Sequence, residues 1–240
     1  MKKFGFTLAE VLITMTIIGV VAALTTPALY NNAHNAQVGP KLAKIKSTIE
    51  NANEQLMQVE EVGRLSTLLT DIPDDSSINQ EYVNMLSTNM RLEQGTRSSS
   101  ISDFYNNAIG NITLTDIDGG QLQGITDRNI IDVLTWQTVE GANIGFDMQA
   151  NRGADGGHWF IYVDINGSST PNRFGRDIFA FILNNNGSLT PYGEFNNANN
   201  NASWQNLCPS GGPVNNADAT AGLACTATIF ANNLQITYDE

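Results

Sequence analysis

The sequence predicts an α+β fold, in which a long N-terminal α-helix with a hydrophobic front half packs against a C-terminal globular head with an antiparallel β-sheet. Three observations support this prediction. An apolar run extends from Phe6 to Leu24, an apolar stripe at helical spacing follows it, and short β-like runs separated by turn residues begin near Ile112. We therefore divide the chain into residues 1–5, a helix over 6–57 and a head over 58–240, which is long enough for one sizeable core.

The apolar run contains Glu10 as its only charged residue. Roughly 20 apolar residues cross the ~30 Å hydrocarbon core of a bilayer as a helix. The run could be a secretory signal peptide, a plain single-pass anchor, or an anchor that is cut between Gly5 and Phe6. A signal peptide is disfavoured because its apolar region usually has ~7–15 residues and no glutamate. A cut after Gly5 would create an α-amino group four residues from Glu10, at the same end of the helix.

Residues 5–12, GFTLAEVL, with Pro27 downstream, resemble the type IV prepilin signature, which pilins, minor pilins and type II secretion pseudopilins share. The resemblance implies a pilin-like fold and a leader peptide, residues 1–5, that a prepilin peptidase removes by cutting after Gly5. It also implies N-methylation of Phe6. Glu10 then takes the position of the glutamate that pairs with the amino terminus of a neighbouring subunit during assembly.

The same resemblance implies the function and the partners. The chain is expected to be a structural subunit of a type IV pilus or type II secretion pseudopilus. Its partners would be other pilin or pseudopilin subunits, a prepilin peptidase/N-methyltransferase, an inner-membrane assembly platform, and membrane lipid before assembly. The alternative is a periplasmic binding or enzymatic domain that merely uses an N-terminal anchor.

The distribution of charge predicts how the chain is oriented in a bacterial inner membrane. Lys2 and Lys3 precede the apolar run, and no lysine or arginine follows Arg176. Because basic residues stay on the cytoplasmic side, we expect a single-pass protein with its head in the periplasm or outside. The net charge of −12 argues against nucleic-acid binding, which needs clustered Lys and Arg.

The second half of the long helix is amphipathic. Pro27 is expected to kink the helix, and Gly39-Pro40 is expected to break it more strongly. Beyond this point, apolar residues recur at spacings of three and four, which predicts one buried helix face. This stripe consists of Leu42, Ile45, Ile49, Ala52 and Leu56.

The head begins with helix-like segments and continues with strands. Residues 64–69 and 82–90 carry apolar residues at helical intervals. Strands are predicted over 133–139, 142–148, 158–165, 178–183 and 229–238. Asn166-Gly167 and Asn186-Gly187 are strong turn signals. We expect a meander of antiparallel strands packed on the stripe of the long helix.

No pattern in the head predicts an enzyme. The two histidines, His34 and His158, lie in the helical stalk and behind a glycine-rich turn. Neither position indicates a nucleophilic triad, and no phosphate-binding GxxxxGK[ST] motif is present.

Residues 163–193 form the most distinctive part of the head. Their VDxNG…PNxxGxDxFxF pattern resembles a block found in some pseudopilin-like heads, and it predicts strand, loop, strand, turn and short strand. Asp164, Asn166 and Asp177 are candidate calcium ligands, since calcium prefers six to eight oxygen donors on a flexible loop. A second Asp-x-Asp-Gly lies at 116–119. Neither segment matches the twelve-residue EF-hand loop, and Asp or Asn before Gly is more often a plain turn former. No other cofactor is predicted.

Cys208 and Cys225 are the two cysteines of the chain. In an exported protein an even number of cysteines favours a disulfide, and a loop of this size would gain roughly 3 kcal/mol by the chain-entropy estimate. Resemblance to pilins, many of which close a C-terminal loop with a cystine, supports the pairing. Two reduced thiols or a zinc site are the alternatives, and zinc is disfavoured because few further ligands are available.

Overall fold

A computed structural model describes most of the chain. The described residues are 5, 7–69, 75–87, 96–97, 134–139, 141–147, 159–167, 169, 172–193, 208, 222 and 224–236. By packing, the chain divides into two compact units, Met1–Gln37 and Val38–Glu240. The predicted segments, residues 1–5, 6–57 and 58–240, stay a prediction.

Helix α1 spans Leu8–Val59. Its front part, Leu8–Thr26, is long and apolar enough to cross a membrane, and none of it is buried within the structure. The long N-terminal helix with a hydrophobic front half is therefore confirmed.

The expected break at Gly39-Pro40 is wrong, because α1 continues as a helix through both residues. The physical reason is tertiary packing. A Cβ at position 39 would overlap the backbone carbonyl of Leu234, so glycine is needed there to let the two backbones approach. Val38 and Leu42, on either side, are fully buried. Burial of these two side chains offsets the free energy that is lost because Pro40 cannot donate a backbone hydrogen bond. The kink expected at Pro27 remains a prediction.

Two helices follow α1 in the head. Helix α2 spans Leu65–Leu68, inside the segment that the sequence predicts as helical over 64–69. Helix α3 spans Asp75–Ser87, so it begins earlier than the predicted segment 82–90.

In the described part of the chain, six strands form one sheet in sequence order, and each pair of neighbours is antiparallel. The strands are β1 Thr96–Arg97, β2 Leu134–Gln137, β3 Asn143–Asp147, β4 Trp159–Asp164, β5 Ile178–Leu183 and β6 Leu189–Pro191. The predicted antiparallel meander is confirmed, as are the predicted strands near β2 to β5. Strand β1 is an addition that the sequence did not indicate.

All six residues of strand β5 are buried. It pairs with β4 from Trp159↔Leu183 to Asp164↔Ile178. The predicted turn at Asn186-Gly187 connects β5 to β6, and Gly187 has the positive φ of 83° that this turn requires.

The predicted strand over 229–238 is wrong. The structure has a helix, α4, over Cys225–Ala231, which ends where Asn233 and Leu234 adopt φ values of 54° and 64°. Ile229 and Leu234 gave an apparently β-like pattern, but Cys225, Thr226 and Ile229 are buried at helical spacing. Packing of this short helix against the core decides the conformation.

The core lies between α1 and the sheet, with contributions from α2, α3 and α4. The stripe residues Leu42, Ile49, Ala52 and Leu56 are buried, and Ile45 is partly buried against them. The other core residues include Leu65, Tyr82, Val83, Ile144, Phe146, Ile161, Phe179, Phe181 and Ile229. The helix stripe therefore packs on the sheet as predicted.

Candidate functional site

The first candidate site is the N-terminal end of α1. Gly5 is exposed, and a Cβ added there would meet no atom within 4 Å. Phe6, the residue that the resemblance places after the cleavage point, lies outside the described residues. Gly5, which lies on the N-terminal side of the predicted cleavage point, is therefore accessible.

Glu10 forms a reciprocal set of hydrogen bonds with Thr7. The backbone N–H and the hydroxyl of Thr7 both donate to Glu10 Oε2, each at 2.8 Å, and the backbone N–H of Glu10 donates to Thr7 Oγ1 at 3.3 Å. This is a capping box, in which two side chains satisfy backbone donors at a helix N-terminus.

The sequence analysis did not identify Thr7 as a hydrogen-bond partner of Glu10. The available signal was the spacing Thr-x-x-Glu immediately before an apolar run, which is typical of a capping box. The capping box lowers the free-energy cost of an unpaired Glu10 carboxylate in an isolated chain. It also holds this carboxylate at the N-terminal end of α1.

The first part of α1, Leu8–Thr26, is apolar on every side apart from Glu10. Its large apolar side chains are exposed, namely Leu8, Val11, Leu12, Ile13, Met15, Ile17, Ile18, Val20, Val21 and Leu24. A helix that is hydrophobic all round needs lipid or other helices to cover it. This surface is suited to a membrane or to a bundle of like helices.

The second candidate site is the loop between β4 and β5. Asp164 is the last residue of β4, and Asp177 directly precedes β5. The backbone N–H of Ile165 donates to the carbonyl of Asp177 at 2.9 Å, which holds the two ends of the loop together. Asn166 connects both acids, since its backbone N–H donates to Asp164 Oδ1 at 3.2 Å and its Nδ2 donates to Asp177 Oδ1 at 3.1 Å. The structure therefore brings all three candidate calcium ligands together.

Both carboxyl groups are fully buried, and this changes their protonation. Burial raises the pKa of Asp164 to about 8, and the negative charge of Asp177 raises it too, although hydrogen bonds from the backbone of Asn166 and Gly167 oppose the change. Burial also raises the pKa of Asp177 to about 7, against the positive charges of Arg176 and Arg173. Two acids with such environments in one loop are a candidate binding site.

Buried polar contacts join α1 to the sheet, and sequence reasoning missed them. Asn53 Nδ2 donates to the carbonyl of Gly187 at 2.9 Å, and the hydroxyl of Tyr82 donates to Asn53 Oδ1 at 2.7 Å. Glu50 Oε1 accepts from the backbone N–H of Leu189 at 2.8 Å and from Lys46 Nζ at 2.6 Å. These contacts hold the rear part of α1 against the rest of the head.

Cys208 and Cys225 form a disulfide, with their Cα atoms 4.7 Å apart. Cys225 is the first residue of α4, so the bond attaches the start of this helix to the preceding segment. The second Asp-x-Asp-Gly at 116–119 and His158 lie outside the described residues. Within the described ranges, no group of three or more His, Cys, Asp or Glu side chains is arranged to hold a metal ion.

Comparison with known families identifies the N-terminal segment. Residues 1–26 match the family described as the prokaryotic N-terminal methylation motif. The chain thus carries the type IV prepilin-like signature. No curated protein and no solved structure matches the chain.

Proposed function

Because residues 1–26 carry the type IV prepilin-like signature, we propose that this protein is a structural subunit of a type IV pilus or a type II secretion pseudopilus. In this proposal the chain enters the inner membrane through Leu8–Thr26, with its head in the periplasm or outside. A prepilin peptidase/N-methyltransferase cuts after Gly5 and methylates Phe6. The chain then polymerises through α1 with other pilin or pseudopilin subunits at an inner-membrane assembly platform.

One observation carries the proposal: the segment that matches the methylation motif includes the first part of α1, which is apolar and unburied. A soluble protein rarely leaves such a surface uncovered. Lipid covers this surface before assembly, and the helices of neighbouring subunits cover it in a filament. The head supplies the displayed surface and has no catalytic role in this proposal.

Glu10 acts as the docking residue for a neighbouring subunit. Its carboxylate already lies at the N-terminal end of the apolar helix, where Thr7 orients it by two hydrogen bonds to Oε2. The α-amino group of a processed subunit is positively charged, and a buried ion pair that loses one partner costs several kcal/mol. A processed chain therefore gains by placing its amino terminus beside the Glu10 of another copy.

The experiment compares recruitment of variants into filaments assembled from the wild-type protein. Glu10→Ala should insert in the membrane normally but enter filaments at least about tenfold less often, since each 1.4 kcal/mol is a factor of ten. Thr7→Val is the control, because it removes the capping hydroxyl and keeps the carboxylate. Its recruitment should fall much less.

Recruitment is measured as the ratio of tagged variant to wild-type protein in sheared filaments, relative to the same ratio in the inner membrane. Wild-type recruitment of Glu10→Ala would contradict docking through Glu10. An equal defect in both variants would assign Glu10 to helix capping alone.

A further inference from the structure

We propose that the loop between β4 and β5 binds a calcium ion through the side-chain oxygens of Asp164, Asn166 and Asp177. This inference is independent of filament assembly, since it concerns the head alone. It rests on the placement of two buried acids in one loop and on one oxygen atom that lacks a hydrogen bond.

The sheet itself places the two acids together. Asp164 lies opposite Ile178 in the β4–β5 register, which makes Asp177 the neighbour of that pair. Asn166 hydrogen-bonds to both acids, so the three side chains share one small volume at the end of the sheet. Both carboxyl groups are fully buried, and a ligand held there would be shielded from water.

The independent observation concerns the second oxygen of Asp164. Asp164 Oδ1 accepts the backbone N–H of Asn166, but Oδ2 is buried and has no hydrogen-bond partner among the described residues. A buried acceptor without a partner lowers the stability of the fold, and the loss is larger if the acceptor is charged. Buried charges in proteins are paired or coordinate metals. A cation beside Asp164 Oδ2 would give this atom the partner that it lacks among the described residues.

The donor chemistry selects calcium. All three side chains offer oxygen, once the amide of Asn166 is rotated by half a turn to present Oδ1 in place of Nδ2, and the two atoms are nearly indistinguishable in shape. Zinc prefers nitrogen and sulfur ligands, which these three residues do not supply. Magnesium demands a near-ideal octahedron and retains water, whereas calcium accepts an irregular set of carboxylate, amide, backbone and water oxygens.

Two arginines limit the affinity that we expect. Arg173 and Arg176 act on Asp177 with their positive charge, so they compete electrostatically with a cation. With two carboxylates and this competition, we place the site in the weak range of extracellular calcium modules, with Kd on the order of 10⁻⁴–10⁻³ M.

The test is thermal unfolding of the purified full-length protein in detergent, followed by tryptophan fluorescence. In 10 mM CaCl2 the Tm should be about 3–10 °C above the Tm in EGTA, from the affinity range and the linkage of binding to stability. Equal concentrations of MgCl2 serve as the control for ionic screening, because the chain has a net charge of −12. Identical Tm values in CaCl2 and EGTA, or equal shifts with both salts, would overturn the proposal.

Asp164→Asn gives a second test that does not depend on the wild-type shift alone. The variant side chain can still accept the backbone hydrogen bond at Oδ1, but an uncharged NH2 group replaces the buried oxygen Oδ2. In EGTA the variant should be as stable as the wild type or more stable, whereas in CaCl2 it should be less stable and show no Tm shift. Glu81→Gln, which neutralises an exposed carboxylate on α3, should retain the full calcium shift. A variant Asp164→Asn that keeps the calcium shift would overturn the proposal.

Discussion

Two polar side chains in the rear part of α1 reach beyond the helix, whereas the threonine hydroxyl groups in its front part do not. In the front, hydroxyl groups bond back to the same helix: Thr14 to the carbonyl of Val11, and Thr16 to the carbonyl of Leu12, at 2.9 and 2.8 Å. In the rear, Glu50 accepts a hydrogen bond from the backbone of β6, and Asn53 donates one to the backbone of the turn that precedes β6.

This difference follows from what surrounds each part. Hydrocarbon offers no hydrogen-bond partners, so a spanning helix must satisfy its polar groups internally. A helix on a sheet meets unpaired strand backbone and can use side chains to bind it. One continuous helix therefore contains a segment suited to lipid and a segment that belongs to the core of the head.

The largest contrast is expected from truncating one isoleucine in each part. Ile49 is fully buried, whereas Ile17 is 58% exposed. Ile49→Ala should lower the free energy of unfolding of the head by about 2–5 kcal/mol, because it leaves a cavity. Ile17→Ala should change it by less than about 0.5 kcal/mol. Urea unfolding followed by tryptophan fluorescence measures both, and equal effects would contradict the division of α1.

Removing the disulfide should affect the head and leave the front helix unchanged. Replacing Cys208 and Cys225 together by serine is expected to cost about 3 kcal/mol of unfolding free energy, since the closed loop constrains the unfolded chain. Membrane insertion, measured by carbonate extraction, should not change. An unaltered urea midpoint in the double variant would show that the bond adds no stability.

Alanine substitutions at two glycines of α1 are expected to have opposite effects on stability. Gly39→Ala should destabilise the head by about 1–3 kcal/mol, because its Cβ would overlap the backbone of Leu234. Gly19→Ala meets no atom within 4 Å and should gain up to about 1 kcal/mol of helix propensity in the front part. Urea unfolding of the head and the helical circular dichroism of each variant measure the two effects. Stabilisation of the head by Gly39→Ala would disprove the close approach.

The smallest effect is expected at Glu50. Glu50→Gln keeps an acceptor for the backbone N–H of Leu189 but removes the charge that pairs with Lys46. Because both side chains are partly exposed, the loss should be about 0.5–1 kcal/mol at low salt and should shrink as salt rises. Urea midpoints at two salt concentrations measure it. A loss that is independent of salt would indicate that the hydrogen-bond geometry matters and the charge does not.

Local patterns predicted the parts of the fold that depend on local chemistry. The apolar run, the stripe from Leu42 to Leu56, the turn at Asn186-Gly187 and strand β5 all follow from spacing and turn residues. In each of these segments, propensity and tertiary packing favour the same conformation.

The wrong predictions lie where distant residues decide the conformation. Gly39-Pro40 is helical because Leu234, far away in the sequence, packs against it. The segment after Cys225 is helical because the disulfide and the core position it, although its β-branched residues favoured a strand. Neither contact can be inferred from neighbouring residues.

The candidate sites could also be predicted only in part from the sequence. The sequence identified Gly5, Glu10, Asp164, Asn166 and Asp177 because motifs and donor chemistry are visible in residue types. The complete burial of Asp164 and the missing partner of its Oδ2 depend on how β4 and β5 pair, so they required the structure.

The mass of the mature N-terminus shows whether the chain is processed as a prepilin. The protein is purified from the membranes of a host with an active prepilin peptidase, and its N-terminal peptide is analysed by mass spectrometry. We expect a chain that begins at N-methylated Phe6. A chain that still begins at Met1, or one cut near Ala23, would contradict it, because neither presents a methylated amino terminus beside Glu10.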